Sequence, residues 1–235
     1  MKKKIKKINK LLINHFGIPF RPKMLPNPVD ALIATILSQN TNDNNSYKAY
    51  LNLKRKYKSV DELAEAPRHE IEKTIKVAGL GKQKSASIKS FLSTLKKKNG
   101  KLNLQYIKNM SDEDILTELT SIKGVGVKTA SCVLLFSLDR NVCPVDTHVH
   151  RTLNRIGIVK TKAPEKTFEQ IKNIIPDGVA HQFHTNLIKL GREICKPAKP
   201  ICSICPLLKE CGFKSKNMDS VSLVRTNDFL LLDSI

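Results

Sequence analysis

No stretch of this chain sustains an alternation of apolar and polar residues, the period of a half-buried strand, whereas helix-start signals recur along it. Asn27-Pro28-Val29-Asp30 combines an N-cap residue, a proline at the first helical position and an acid at the third. Behind it Val29, Leu32, Ile33, Ile36 and Leu37 fall three and four apart, the spacing of one buried helical face. Ser59-Val60-Asp61-Glu62 and Ser111-Asp112-Glu113-Asp114 read as capping boxes. Gly79, Gly124 and Gly157 stand where helices should stop, and Pro164 and Pro176 bracket a further helical segment. The expected fold class is therefore all-α. A length of 235 residues allows one large or two small domains, and 40% apolar residues support a packed core.

The sharpest turn signal runs Ile122-Lys123-Gly124-Val125-Gly126-Val127-Lys128-Thr129-Ala130, followed by an apolar segment and then Pro144-Val145-Asp146-Thr147-His148. Glycines let backbone N–H groups approach an anion closely, and the helix N-terminus behind them is itself an anion site. Lys128, just inside that helix, sits where a positive environment favours the neutral amine that a nucleophile needs. Asp146 follows eighteen positions on (146 − 128 = 18) and offers a carboxylate able to steady a sugar cation. Phosphate grip, amine and carboxylate together point to chemistry on a nucleic-acid sugar. Plainer readings stand beside these. Lys128 could be a solvated lysine among many, and Asp146 only the N-cap of a helix starting at Thr147. A weaker echo, Val77-Ala78-Gly79-Leu80-Gly81-Lys82-Gln83-Lys84, repeats the glycine pattern; there a glycine that merely ends a helix is the simpler reading.

Charge agrees with a polyanionic partner. Lys and Arg total 41 against 21 Asp and Glu, a net charge of +20, with a pI near 9.8. The alternative is a biased composition in which lysines only solvate the surface. The basic N-terminus lacks the apolar core of a signal peptide, and the run from Cys132 to Leu138 is far too short to span a bilayer. A soluble, intracellular protein is expected. His148 and His150 would face different sides of a helix, and His181 and His184 share a face without a third ligand, so neither pair reads as a metal site.

Cysteines carry the second strong signal. Cys132 and Cys143 are scattered and read as small buried residues. The other four form Cys195-x6-Cys202-x2-Cys205-x5-Cys211. Four thiols so close together in an intracellular chain argue for a metal centre over disulfides. Zinc ribbons usually unite two short-spaced pairs, whereas this run has one, and a compact four-cysteine loop fits a 4Fe–4S cube better.

Taken in order, the glycine hairpin with its lysine, the Val-Asp-Thr-His segment and the four-cysteine loop resemble endonuclease III, of the helix-hairpin-helix DNA glycosylase superfamily. The resemblance covers about residues 25 to 212. It implies a two-lobed helical fold with a DNA groove between the lobes. A six-helix barrel lobe would span residues 24–134, with the helix-hairpin-helix at 112–137. A cluster lobe would join residues 1–23 to 135–212, leaving a tail at 213–235. It further implies that Lys128 forms a Schiff base, that Asp146 is the essential aspartate, and that Cys195, Cys202, Cys205 and Cys211 ligate a 4Fe–4S cluster.

Leu37-Ser38-Gln39-Asn40-Thr41-Asn42-Asp43 resembles the family's DNA-facing stretch, with Asn40 where the family has the glutamine that fills the gap left by an extruded base. Gln39, Asn40, Gly124, Val125, Gly126, Thr129 and Lys199 are the expected DNA contacts, and Lys123 replaces the usual hairpin proline. The partner implied is double-stranded DNA containing damaged bases or abasic sites, met by a cytoplasmic, nucleoid-associated monomer. Three activities compete. They are a bifunctional glycosylase and lyase for damaged pyrimidines, a mismatch glycosylase for thymine, uracil or adenine, and a non-catalytic iron–sulfur DNA-binding protein. Lys128 favours the first, and Lys128 with Asp146 argues against the third.

Overall fold

A computed structural model describes residues 1–219, 231–233 and 235. Among them there are eleven α-helices and no strand, as the absence of period-two patterning requires. The chain divides into two compact units, one of residues 1–21 with 141–228 and one of residues 22–140 with 229–235.

The second unit is built on two helices that are apolar nearly all round. In α2 (Pro28–Ser38) every residue from Pro28 to Leu37 except Asp30 is buried. In α8 (Val127–Ser137) the same holds from Thr129 onward. A helix without a polar face belongs at the centre of a domain, and these two pack on each other. Helices α3 (Asp43–Lys56), α4 (Val60–Glu65), α5 (Arg68–Thr74), α6 (Gly81–Asn99) and α7 (Asp112–Thr120) complete the unit; α3 and α6 pack on α2, and α7 packs on α8.

The predicted starts form as caps. Asn27 Oδ1 accepts from Val29 N at 2.9 Å, Ser59 Oγ from Glu62 N at 3.1 Å, and Ser111 Oγ from Asp114 N at 3.1 Å. Glu62 also reaches back to Lys58 N at 2.8 Å, one residue before the cap. A short 3-10 turn, Leu231–Asp233, packs on α2 and α3, with Leu231 buried. Phe229 and Leu230, which precede it, lie outside the described residues.

The first unit packs α1 (Lys2–Phe16), α9 (Thr147–Ile156), α10 (Pro164–Ile171) and α11 (Ala180–Glu193). Helix α1 buries Ile5, Ile8 and Leu12, a single stripe laid on α11. Lys4 Nζ donates to Ile156 O and Gly157 O, both at 3.2 Å, placing a cation on the C-terminal carbonyls of α9. Gly157, at φ +76°, ends α9 in the left-handed cap that its position predicts. Pro164 does open α10, but that helix stops at Ile171, well ahead of Pro176. No helix among the described residues is long and apolar enough to cross a membrane.

Candidate active site and cysteine loop

The glycine hairpin joins α7 to α8. Val125 N donates to Ile122 O at 3.0 Å, closing the turn, and Gly124 takes φ +89°. A Cβ built on Gly124 would stand 2.6 Å from Ser87 Oγ on α6, so both conformation and packing demand glycine there. Gly126 is the N-cap of α8 and has no side chain to satisfy the first turn. The N–H groups of Val127, Lys128 and Thr129 precede the first bond of the helix, Ala130 N to Gly126 O at 3.0 Å. Both glycines are exposed and Lys128 is half-buried, while the side chains of Val125 and Thr129 are buried. Of the contacts expected here, Val125 has its N–H engaged inside the turn. Thr129 is left with backbone to offer.

Asp146 is the N-cap of α9, its Oδ1 accepting from Val149 N at 2.8 Å. Capping and catalysis do not exclude each other, since this bond uses one of the two carboxylate oxygens. The approach to Asp146 is held by His184, whose Nδ1 lies 2.9 Å from Pro144 O. Burial keeps His148 below the ordinary histidine range, helped by the Arg151 and Arg192 charges and opposed by Asp146. His150 pairs instead with Thr167 Oγ1 at 2.7 Å, so the two histidines face different partners. Lys128 belongs to one unit and Asp146 to the other.

The stretch after α2 is a tight turn. Gln39 caps the helix with its N–H on Ile36 O at 3.3 Å, Asn40 is exposed at φ +50°, and Asn42 Oδ1 then caps α3 through Asn45 N at 2.9 Å. Asparagine is among the few side chains that tolerate that left-handed conformation. The glycine echo at residues 79–81 makes a similar turn. Gly79, at φ +69°, ends a 3-10 helix, Lys76–Ala78, and α6 begins at Gly81 after Leu80 at φ +49°. Gly79 therefore both stops one helical segment and opens the turn into another.

The cysteine loop follows α11. Ile201 N bonds Ile194 O at 2.9 Å, Cys202 N bonds Asn217 O at 3.0 Å, and Cys205 N bonds Cys202 O at 3.1 Å, with Lys199 exposed at φ +49°. Among the described residues no three His, Cys, Asp or Glu side chains close on one point at ligand spacing. Cys205 nonetheless lies within the field of the other three. Burial pushes the Cys205 thiol up to about 12, and Cys195, Cys211 and Cys202 add to the shift. Four soft donors in one partly buried loop are of the chemical type that iron–sulfur and zinc centres use.

Two residues of this region carry no signal of their role in sequence. Arg151 Nε donates to Cys195 O at 2.9 Å, and its Nη2 donates to Gly191 O at 2.8 Å. Arg155 Nη1 reaches Lys196 O at 2.7 Å and Cys195 Sγ at 3.4 Å, Nη2 reaches Pro197 O at 2.8 Å, and its guanidinium lies 4.4 Å from the Phe213 ring centroid. An arginine pair four apart on α9 is visible in the residue order; which loop it meets is not.

Comparison with known proteins agrees with this layout. The family model for HhH-GPD superfamily base excision DNA repair protein matches residues 33–177. Endonuclease III of Thermotoga maritima is 38% identical over 186 residues, 79% of this chain and 83% of that protein. A non-covalent endonuclease III–DNA complex superimposes with a TM-score of 0.75 at 27% identity, covering 90% of this chain and 95% of that one. A trapped endonuclease III–DNA covalent intermediate gives 0.74 at 28% identity, with the same coverage. A glycine hairpin opening α8, a capping aspartate opening α9 and an all-helical chain so matched leave one assignment: this protein belongs to the HhH-GPD superfamily of base excision DNA repair proteins and is an endonuclease III-like DNA glycosylase.

Proposed function

We propose that this chain removes damaged, oxidised pyrimidines from duplex DNA and then cuts the abasic site by β-elimination, with Lys128 and Asp146 as the catalytic pair. The observation that carries the reading is Lys128 on the first turn of α8, behind an exposed glycine cap that has no side chain of its own. Helix N-terminal N–H groups there suit a phosphate, and their positive end favours a neutral amine. A relative of the same fold, trapped covalently on DNA, supports a covalent route.

The steps follow from the chemistry of the sugar. A base inside a duplex is unreachable, so the nucleotide is turned out of the stack, most cheaply where damage has weakened it. As the N-glycosidic bond breaks, its electron pair leaves with the base and cationic character develops at C1′. Ionised Asp146 stabilises that charge and helps Lys128 lose a proton. Neutral Lys128 Nζ bonds C1′, the sugar ring opens, and an imine forms. Loss of a C2′ proton then breaks the C3′–O bond, which cuts the strand on the 3′ side. Gly124, Gly126 and Thr129 present backbone to the flanking phosphates, and Gln39 or Asn40 fills the space the base leaves.

Cys195, Cys202, Cys205 and Cys211 would hold a 4Fe–4S cluster, whose bonds would cross-link the loop, and the exposed Lys199 in that loop would supply a basic contact to DNA. This work belongs in the cytoplasm, at the nucleoid. The test is borohydride trapping on an oligonucleotide panel. Wild type should form a covalent adduct with an abasic duplex and Lys128→Ala none, and undiminished trapping by that variant would overturn the proposal. Asn caps helices as well as Asp does, so Asp146→Asn should keep its fold and bind abasic DNA while losing base excision. Full excision by Asp146→Asn would remove the carboxylate from the mechanism.

A further inference from the structure

One of the largest fully buried side chains in this protein is a lysine. Lys84, on α6, is 1% exposed, and its Nζ donates to Leu37 O and to Ala78 O, each at 2.8 Å. Burial pushes its pKa down to about 8, and no carboxylate among the described residues offsets the cost. A methionine would fill such a position without that penalty, so what the ammonium adds is its two bonds. Both acceptors sit at the ends of helical segments. Leu37 lies in the last turn of α2, immediately before Ser38-Gln39-Asn40, and Ala78 ends the 3-10 helix before Gly79-Leu80-Gly81. Of the chain's four described non-glycine residues at positive φ, two are Asn40 and Leu80, one in each turn. Strained residues of this kind persist only where their surroundings over-determine them. A single buried cation is thus bonded to the stems of both strained turns.

We propose that Lys84 is a positioning residue for base extrusion: by tying the carbonyl ends before the two turns together, it holds the Gln39–Asn40 turn in the shape that enters the duplex when a nucleotide leaves the stack. The proposal rests on the reading of Gln39 and Asn40 as DNA-facing. It follows that Lys84 matters where a gap must be filled and not where none exists. A single-stranded abasic oligonucleotide has no stack to fill, yet uses the same lysine chemistry.

Single-turnover strand cleavage should therefore be compared on duplex and single-stranded abasic DNA for Lys84→Met, Lys84→Arg and Asn40→Ala. Lys84→Met should lose roughly tenfold or more on duplex, the scale of a buried donor pair removed, while staying within about twofold on single strands. Lys84→Arg should recover most of the duplex rate. Asn40→Ala should show the same duplex defect, and Asn40→Ala combined with Lys84→Met should add little to either alone, because the two act as one unit. Equal losses on both substrates would mark Lys84 as a purely structural lysine and overturn the proposal. A duplex defect in Asn40→Ala with none in Lys84→Met would overturn it while leaving the DNA-facing turn intact. No defect in Asn40→Ala would instead sink the reading of the turn. Should Lys84→Met not fold, Lys84→Gln, which retains a donor for one carbonyl, is read by the same duplex-to-single-strand ratio.

Discussion

Gly124 and Gly126 stand two positions apart in one hairpin, yet packing demands only the first. Gly124 sits at φ +89° with Ser87 against it, whereas Gly126 has φ −91° and nothing within 4 Å of a Cβ built on it. Stability and binding can therefore be separated. Gly124→Ala should unfold at lower temperature, by about 1–3 kcal/mol, because a side chain is both strained and obstructed there. Gly126→Ala should stay within about 1 kcal/mol of wild type, since the weaker N-cap preference of alanine is partly offset by a stiffer unfolded chain. Its methyl group would nevertheless occupy the space through which a phosphate approaches the first turn of α8. Binding to an abasic-analogue duplex should weaken at least about tenfold, the scale of removing one charge-assisted hydrogen bond. Thermal unfolding and a fluorescence titration check the two halves, and wild-type affinity in Gly126→Ala would remove the phosphate from this turn.

At the scale of elements, α9 joins two parts of the proposed site within its own unit. Asp146 caps its N-terminus, and Arg151 and Arg155 extend from its later turns to the opening of the cysteine loop. Gly191 on α11 makes this possible, because a Cβ there would stand 2.8 Å from His148 Cβ. Arg155→Met keeps the aliphatic stem but drops the donors to Lys196 O, Pro197 O and Cys195 Sγ. The loop should then loosen, lowering stability by about 1–3 kcal/mol and leaving the proposed 4Fe–4S cluster below full occupancy. Iron and sulfide assays together with a melting curve test this, and wild-type iron content would show that the proposed cluster does not depend on the arginine. The ends of α9 were legible in the sequence, as a possible Asp146 cap before Thr147 and as Gly157 at its stop. Its arginines were legible only as a pair on one face, because an arginine declares reach and charge but not its acceptor. The Ser59 and Ser111 caps were equally readable, since their partners lie within four residues.

Over the whole molecule, the chain passes from one unit to the other at residues 21–22, 140–141 and 228–229, so neither unit is a single unbroken stretch of sequence. Lys128 and Asp146, eighteen residues apart, fall on either side of the second crossing. The net charge of +20 belongs to this scale as well. If phosphate contacts dominate binding, the logarithm of the association constant should fall linearly with the logarithm of salt, with a slope near about −0.9 for each phosphate neutralised. Affinity measured from low to moderate salt checks this, and a flat response would contradict a phosphate grip.

What the residues determined alone is whatever depends on near neighbours: an all-helical chain, its caps, the hairpin glycines, the lysine behind them and the spacing of four cysteines. Periodicity, capping and turn preference act between residues only a few positions apart and leave their mark in order. The tertiary structure alone decided that Lys84 is buried on two carbonyls, 47 and 6 residues away, and that Arg155 meets a loop some 40 residues on. It also decided that Gly124, and not Gly126, is pinned by Ser87. Such facts depend on which distant elements pack together, and a polar side chain in sequence carries no sign of whether water, carbonyl or phosphate will receive it.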